Sequence, residues 1–550
     1  ERKRANPAVR IIHVSTRTAR TSYASDHTLL HQPHTALAVA HAVCHEIVAR
    51  QWVDRPFVNA HVACRRGATA PAVLAPFADS STGASWEEFQ RFLDDYSPER
   101  VQAVSGLAAA SIRWLASVYG DPLRKVVSVW GQAIHQDVSG TATNNALYSI
   151  HLLVGKIAEP GNGALALTGQ PGGGSAVADA GTLAGTLPRG LLTDPADRAR
   201  AAEIWGVQAE HIPTEAGPAA LGLWQRLEAG QLKFLWIQAT NPLVSLPNLD
   251  RYRAAARRRG CFLVVTEAYP TATTDAADVV LPAAMWLERE GIYANTERRL
   301  QHFERMVTPP GEAASDAWLM IEVARRLGFS AQFPYHPERY IADIWEEYAR
   351  FWADSSTPLP ALEALRAHSG VLWPCHGQRE VRYRYNPQYD PAAETARGPY
   401  DFYGNPDHRA RIWLRPDAPA AEAPDQAFPY WLTSGAVLEH WGTGTLTQRI
   451  PALHRALPAA YVELNREDAN DLGIRNREQV RLTSRRGTLE LQARIEYRSQ
   501  LPRGHLFVPT FDEAHPIHRL TLDATCPVSG QPDAGKCAVR LERIGPREVE

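Results

Sequence analysis

The sequence predicts an α/β protein built on parallel sheets, followed by a C-terminal region of short strands. Three observations carry this. Residues 262–265, Phe-Leu-Val-Val, form a continuous apolar run, the pattern of a parallel strand covered on both faces, and it stops at Thr266 and Glu267. The same arrangement, an apolar run that ends in polar side chains, recurs at residues 9–14, 125–130 and 233–238. From Phe428 the texture changes. Leu489, Leu491, Ala493 and Ile495 alternate after Arg486-Gly487, which predicts a hairpin.

Composition narrows the class. At 550 residues the chain is long enough for several domains, and 45% hydrophobic with 21% charged residues is ordinary for a globular protein. A net charge of −2 argues against a broad nucleic-acid footprint. No apolar run approaches a membrane span, so no membrane insertion is expected. The first residues lack both Met and an apolar h-region, so no signal peptide is read there, and the chain is expected to be part of something longer. Six Cys lie scattered without C-x-x-C spacing, which leaves no local Fe–S or zinc motif.

In chain order, the first strand leads into Ser15-Thr16-Arg17-Thr18, hydroxyls and a cation that suit phosphate or ribose. Thr35 is expected to cap a helix over residues 36–50. His41 and His45 stand at i, i+4 on it, but the H-E-x-x-H pattern fails, and both are read as packing residues with no metal. Helices are expected from near Ser85 and from Ser97-Pro98. After the strand at 125–130, Gln132 and Gln136 fall in a polar segment, and Asn144 is expected to open a helix. Gly172-Gly173-Gly174-Ser175 lacks the Lys of a phosphate loop. Asn241 follows the strand at 233–238 in an Asn-Pro turn. Residues 278–281 read as a second strand beside 262–267, and Asp316 as the N-cap of a helix. Residues 330–425 show few strong periods.

The wording of residues 262–301 is more specific than its periodicity. V-V-T-E, then T-A-x-x-A-D-V-V-L-P-A-A-x-W-x-E-x-x-G, then N-x-E-R-R-x-Q, resembles the molybdopterin oxidoreductases of the DMSO reductase superfamily. Residues 144–170 are similar to catalytic subunits of periplasmic-type nitrate reductases, and residues 463–487 look like that family's C-terminal double-psi β-barrel. The resemblance implies Rossmann-like α/β cofactor domains over 1–120 and 121–330, a linker and irregular segment over 331–425, and a dinucleotide-binding barrel over 426–550.

It also implies a cofactor, Mo-bis(molybdopterin guanine dinucleotide), and contacts to it. These are Ser15, Thr16, Thr18, Thr35, Gln132, Gln136, Asn241, Thr266, Glu267, Arg289 in place of a Lys, and Asp316. The loop Ser434, Gly435, Val437, Leu438, Glu439, His440, Trp441 and Thr443 joins them, as do His518 and Lys536. Glu267 is the candidate for guanine, because a carboxylate accepts from the ring N–H and the amino group together. Three departures stand out: Ala36 replaces an Asp, Ala178 replaces an Arg that relatives carry for nitrate, and Gly535 replaces a Lys.

The implied activity is reduction of nitrate, or another small oxyanion, by oxygen-atom transfer. A cytochrome c or ferredoxin-like donor protein and a [4Fe–4S] cluster with ligands outside this chain complete the implied set. The implied compartment is the periplasm, with the cytoplasm as alternative. Three other readings remain open: a sister enzyme such as an assimilatory nitrate reductase or formate dehydrogenase, a non-catalytic electron-transfer scaffold, and a plain nucleotide-binding protein. The last lacks G-x-G-x-x-G.

Overall fold

The computed structural model describes residues 2–67, 82–167, 185–258, 260–355, 358–376, 379–495 and 501–544. The expected fold class is the one observed: parallel-sheet α/β units followed by a C-terminal barrel.

The strands predicted from apolar runs form parallel sheets. Ile12–Ser15 pairs with His27–Leu30, and Val127–Trp130 pairs with Gly163–Ala166. Phe262–Glu267 lies between Phe234–Gln238 and Val279–Pro282 in a three-stranded sheet, all parallel. Val264 and Val265 are buried, and Ile237, Leu249 and Tyr252 pack with Val265 in one core cluster.

Local chemistry explains the helix starts. Ser85 and Glu88 form a reciprocal capping box ahead of Trp86–Leu93, and Ser97 caps Pro98–Ser105. Ala36–Ala49 is almost wholly buried and anchors the largest core, where Val43 and Ile47 meet Phe57, Ile112, Leu153 and Ile412. His41 is one of its packing residues. Its Nε2 lies 2.9 Å from the Arg415 carbonyl, and burial lowers it to about 4.

Three local expectations need correction. Thr35 occupies the N-cap position of Ala36–Ala49 but makes no side-chain cap bond; its hydroxyl donates to the Gln32 carbonyl at 2.7 Å. The helix expected from Asn144 begins at Gly140, because Ser139 and Gly140 already turn there. Asp316 is the first helical residue and Ser315 is the cap, its Oγ accepting from Trp318 N at 3.1 Å.

Residues 331–425 contain regular elements: Tyr340–Arg350, Leu362–Ala367 and the strand Ala410–Leu414. That strand pairs in parallel with Val62–Arg66 and puts Ile412 in the main core.

The barrel closes with six strands, in the order Tyr430–Gly435, His505–Pro509, Tyr461–Leu464, Thr488–Arg494, Gln479–Thr483 and Lys536–Arg543. Two of its pairs are parallel and the rest antiparallel. The Thr488–Arg494 strand alternates exposed and buried residues, as read from the sequence. Among the described residues no helix is long and apolar enough to cross a membrane, and no group of three metal-ligating side chains forms.

Candidate functional site

The carboxyl end of the three-stranded sheet gathers the first group of expected residues. Ala239 leaves Phe234–Gln238 in the left-handed region, φ +52°, a conformation that a non-glycine residue adopts only where its surroundings hold it. This sharp exit leads to Asn241. Glu267 ends its own strand beside Pro282, and Ala283 bridges in parallel to Ala314. Asp316 is thereby brought near Glu267. Arg289 Nη1 donates to Asp316 Oδ2 at 2.6 Å, and its Nη2 donates to the Tyr293 hydroxyl at 3.1 Å. Tyr293 is itself held in a stack with Trp286 and Phe303, centroids 4.1 and 4.7 Å away.

The electrostatics of this end are unusual in one respect. Glu267 is half-buried, and burial pushes its carboxyl above the usual range; the Ala268 N–H works against that and the Asp316 charge adds to it. Gln238 Nε2, Arg289 Nε and Asp316 Oδ1 are shielded from solvent and have no hydrogen-bond partner among the described residues. Buried polar atoms are normally satisfied, so two donors and an acceptor left together fit a polar ligand with complementary groups. A nucleobase with its ribose has that chemistry. Thr266, by contrast, is fully buried and accepts from Trp236 Nε1 at 2.8 Å.

A second group lies along the seam between the α/β units and the barrel. Ser434 N donates to the Gly535 carbonyl at 2.8 Å, next to Lys536. Lys536 Nζ donates to Asp137 Oδ2 at 2.7 Å and to both carboxylate oxygens of Asp533, at 2.7 and 2.6 Å. These contacts account for its three N–H bonds. Gln136 adjoins Asp137 in sequence, and Thr35 adjoins His34, whose Nδ1 lies 3.2 Å from Asp137 Oδ2, so both fall beside this knot. Gln132 is exposed at the start of the short helix Gln132–His135. His518 is buried, its Nδ1 3.3 Å from Thr521 Oγ1, and burial lowers it to about 4.

The loop after Tyr430–Gly435 divides in two. His440 is buried, stacks on Phe511 at 4.1 Å, and meets Thr447 Oγ1 and the Leu457 carbonyl with its two ring nitrogens. Leu438 and Trp441 are each 71% exposed, an open apolar face beside them. Val437 and Thr443 are half-buried, and Thr443 Oγ1 lies 3.0 Å from Thr445 Oγ1. Glu439 accepts from Arg20 Nη2 at 2.8 Å, which brings the loop to the helix after Ser15, Thr16 and Thr18. Those three are half-buried at the end of the first strand, where Arg17 lies over the Phe507 ring of the barrel at 3.5 Å.

Asn241 belongs to the seam as well. It is buried, its Nδ2 donates to Glu513 Oε2 at 3.0 Å, and its Oδ1 accepts from Thr273 Oγ1 at 2.7 Å. Its amide is thus mostly committed to tying the sheet to the barrel.

Sequence reasoning missed Gln238, Asp137, Asp533, Glu513 and Tyr293. Gln238 and Asp137 each follow or end an apolar strand, and that position was the available signal. Residues 168–181, with the Thr168-Gly169-Gln170-Pro171 turn, the glycine run and Ala178, lie outside the described residues.

Comparison with known proteins agrees with this layout. The structure is similar to acetylene hydratase from Pelobacter acetylenicus, with a TM-score of 0.70 at 15% identity over 99% of this chain and 75% of that one. Residues 430–538, nearly all of the barrel, match the molydopterin dinucleotide binding domain. Residues 1–326, more than half of the chain, match the model of the molybdopterin oxidoreductases, and the chain belongs to that family.

Proposed function

We propose that this chain binds molybdenum as bis(molybdopterin guanine dinucleotide) and is part of a catalytic subunit that reduces nitrate to nitrite. The observation that supports the nucleotide half of this reading is the half-buried Glu267 near atoms of Gln238, Arg289 and Asp316 that have no partner among the described residues. Ionised, Glu267 accepts from guanine's ring N–H and amino group. Arg289 keeps a free donor while Asp316 and Tyr293 hold its plane. Asp316 keeps a free acceptor, which suits a ribose hydroxyl.

The residues proposed for the rest of the cofactor are Ser15, Thr16, Thr18, Thr35, Gln132, Gln136, His518, Lys536 and the loop of residues 434–443. Their duty is to bind, orient and exclude water. Lys536 acts from within its pair of carboxylates, as a fixed positive charge on the barrel's rim. When bound, the metal supplies the two-electron couple for oxygen-atom transfer, by which nitrate, two electrons and two protons give nitrite and water. The electrons come from a cytochrome c or ferredoxin-like donor, through the [4Fe–4S] cluster that the resemblance implies. The proposed compartment is the periplasm, with the cytoplasm as alternative.

A second reading, a sister enzyme such as an assimilatory nitrate reductase or formate dehydrogenase, is favoured by Ala178 in place of the expected Arg. The test is metal content and turnover of protein expressed from the complete gene, with reduced viologen and nitrate or with formate and an acceptor. Molybdenum with nitrite formation supports a nitrate reductase over a formate dehydrogenase. Molybdenum with formate oxidation alone moves the substrate. Absence of molybdenum from a host that fills related enzymes overturns both and favours a scaffold.

A further inference from the structure

The knot around Lys536 contains a residue that the cofactor reading does not use. His34 Nδ1 lies 3.2 Å from Asp137 Oδ2, and His34 Nε2 lies 2.8 Å from the carbonyl oxygen of Ala418. Both partners are acceptors only. A neutral imidazole has a single N–H and satisfies one of them; an imidazolium satisfies both. The geometry therefore describes a charged His34.

Charge balance points the same way. His34, Asp137 and Lys536 are only 10%, 14% and 10% exposed in their side chains, and Asp533 only 4%. Two carboxylates face one ammonium, and a second cation is needed for neutrality in a buried place. Glu422 lines the same small cavity but is taken by Arg485 and Arg486. Burial works against a charged His34, yet the hydrogen bond and charge of Asp137 outweigh it, and the group is raised above its ordinary value. Burial would raise Asp137 too, but His34 and Lys536 hold it below the carboxylate range. Asp533 is raised, chiefly by burial. His34 also holds a left-handed backbone, φ +67°, which a non-glycine residue keeps only where its contacts hold it.

We propose that His34 is a pH-sensitive latch, whose imidazolium ties three distant parts of the chain together: the barrel rim at Asp533 and Lys536 through Asp137, the segment at Ala418, and the α/β unit that carries His34 itself. Loss of its proton breaks one of the two ring bonds and leaves the knot with excess negative charge. Because the folded-state value is raised, the latch is complete below the ordinary histidine range and is lost as pH rises through that raised value. The latch shares Lys536 with the proposed cofactor contacts, but it rests on the chain's own hydrogen bonds and charges.

Exchange of the histidine C2 proton, read by mass spectrometry on the whole chain, reports the titration of His34 without any substitution. The expected midpoint lies above about 6.5 and drops below it in Asp137→Asn. A midpoint at or below about 6.5 in the unsubstituted chain overturns the proposal. Amide exchange of peptides covering 416–420 and 533–538, corrected for intrinsic rates, is expected to be several-fold faster at about pH 8.5 than at about pH 6, and to lose that pH dependence in His34→Gln. The same pH response in both proteins also overturns it.

Discussion

The sheet end and the seam contain the same kinds of side chain in opposite states. At the seam, Lys536, Asp137, Asp533, Asn241 and Glu513 satisfy one another across up to 399 residues of sequence. At the sheet end, Gln238, Arg289 and Asp316 each keep a buried polar atom with no partner among the described residues, and Glu267 ends the neighbouring strand. Leaving buried polar groups open costs free energy, so a protein keeps them open where something else fills them. On the proposed reading, the difference separates polar groups already committed to the fold from polar groups left for a ligand, although family resemblance names both kinds alike.

The contrast breaks first at the knot. Asp137→Ala removes the shared acceptor of Lys536, His34 and Ser139 N and leaves buried cations short of a partner. A loss of about 3–5 kcal/mol is expected from breaking a buried ionic pair, read as earlier unfolding of the barrel in denaturant. A loss within that of an exposed pair would show that the seam is not where the stability lies. Glu513→Ala comes next. It strands the buried Asn241 Nδ2 and the partly buried Ala272 N, for about 1–3 kcal/mol.

At the sheet end the expected signature is reversed. Glu267→Gln leaves stability within about 0.5 kcal/mol but abolishes retention of a guanine nucleotide by the loaded protein. The pH dependence sharpens this. A carboxyl raised by burial protonates earlier on acidification, so nucleotide retention is lost as pH falls through a value above the ordinary glutamate range. The smallest effect is expected for Arg481→Ala, which breaks an exposed cross-strand pair with Glu490 and costs about 0–1 kcal/mol in the same denaturant experiment.

Much of the frame was legible because it is local. Apolar runs ending in polar residues located the strands at 127–130, 234–238 and 262–267, and the readings at Ser85 and Ser97-Pro98 located two helix starts. Alternation at Leu489, Leu491, Ala493 and Ile495 predicted a hairpin, and its second strand is the barrel strand Thr488–Arg494. What was not legible is non-local. Ala410–Leu414 pairs with Val62–Arg66 across more than 300 residues, and nothing in either segment names the other. The knot has the same character, since His34, Asp137 and Lys536 become neighbours only after the barrel docks. Asn241 and Thr266 show the converse limit. The resemblance implied both as cofactor contacts, and their polar atoms are largely occupied by Glu513, Thr273 and Trp236. Thr35 misled for a local reason: its hydroxyl found the Gln32 carbonyl instead of the helix N–H groups.

The central claim is that the sheet end is a guanine-nucleotide site, and the nucleotide released from purified protein tests it most directly. Protein expressed from the complete gene, in a host that makes the cofactor, would be denatured with acid and its nucleotides identified by mass spectrometry, alongside Glu267→Gln. Guanosine monophosphate from the unsubstituted protein and none from Glu267→Gln is the predicted result. A different nucleotide, or equal guanosine monophosphate from both proteins, would contradict the assignment of Glu267.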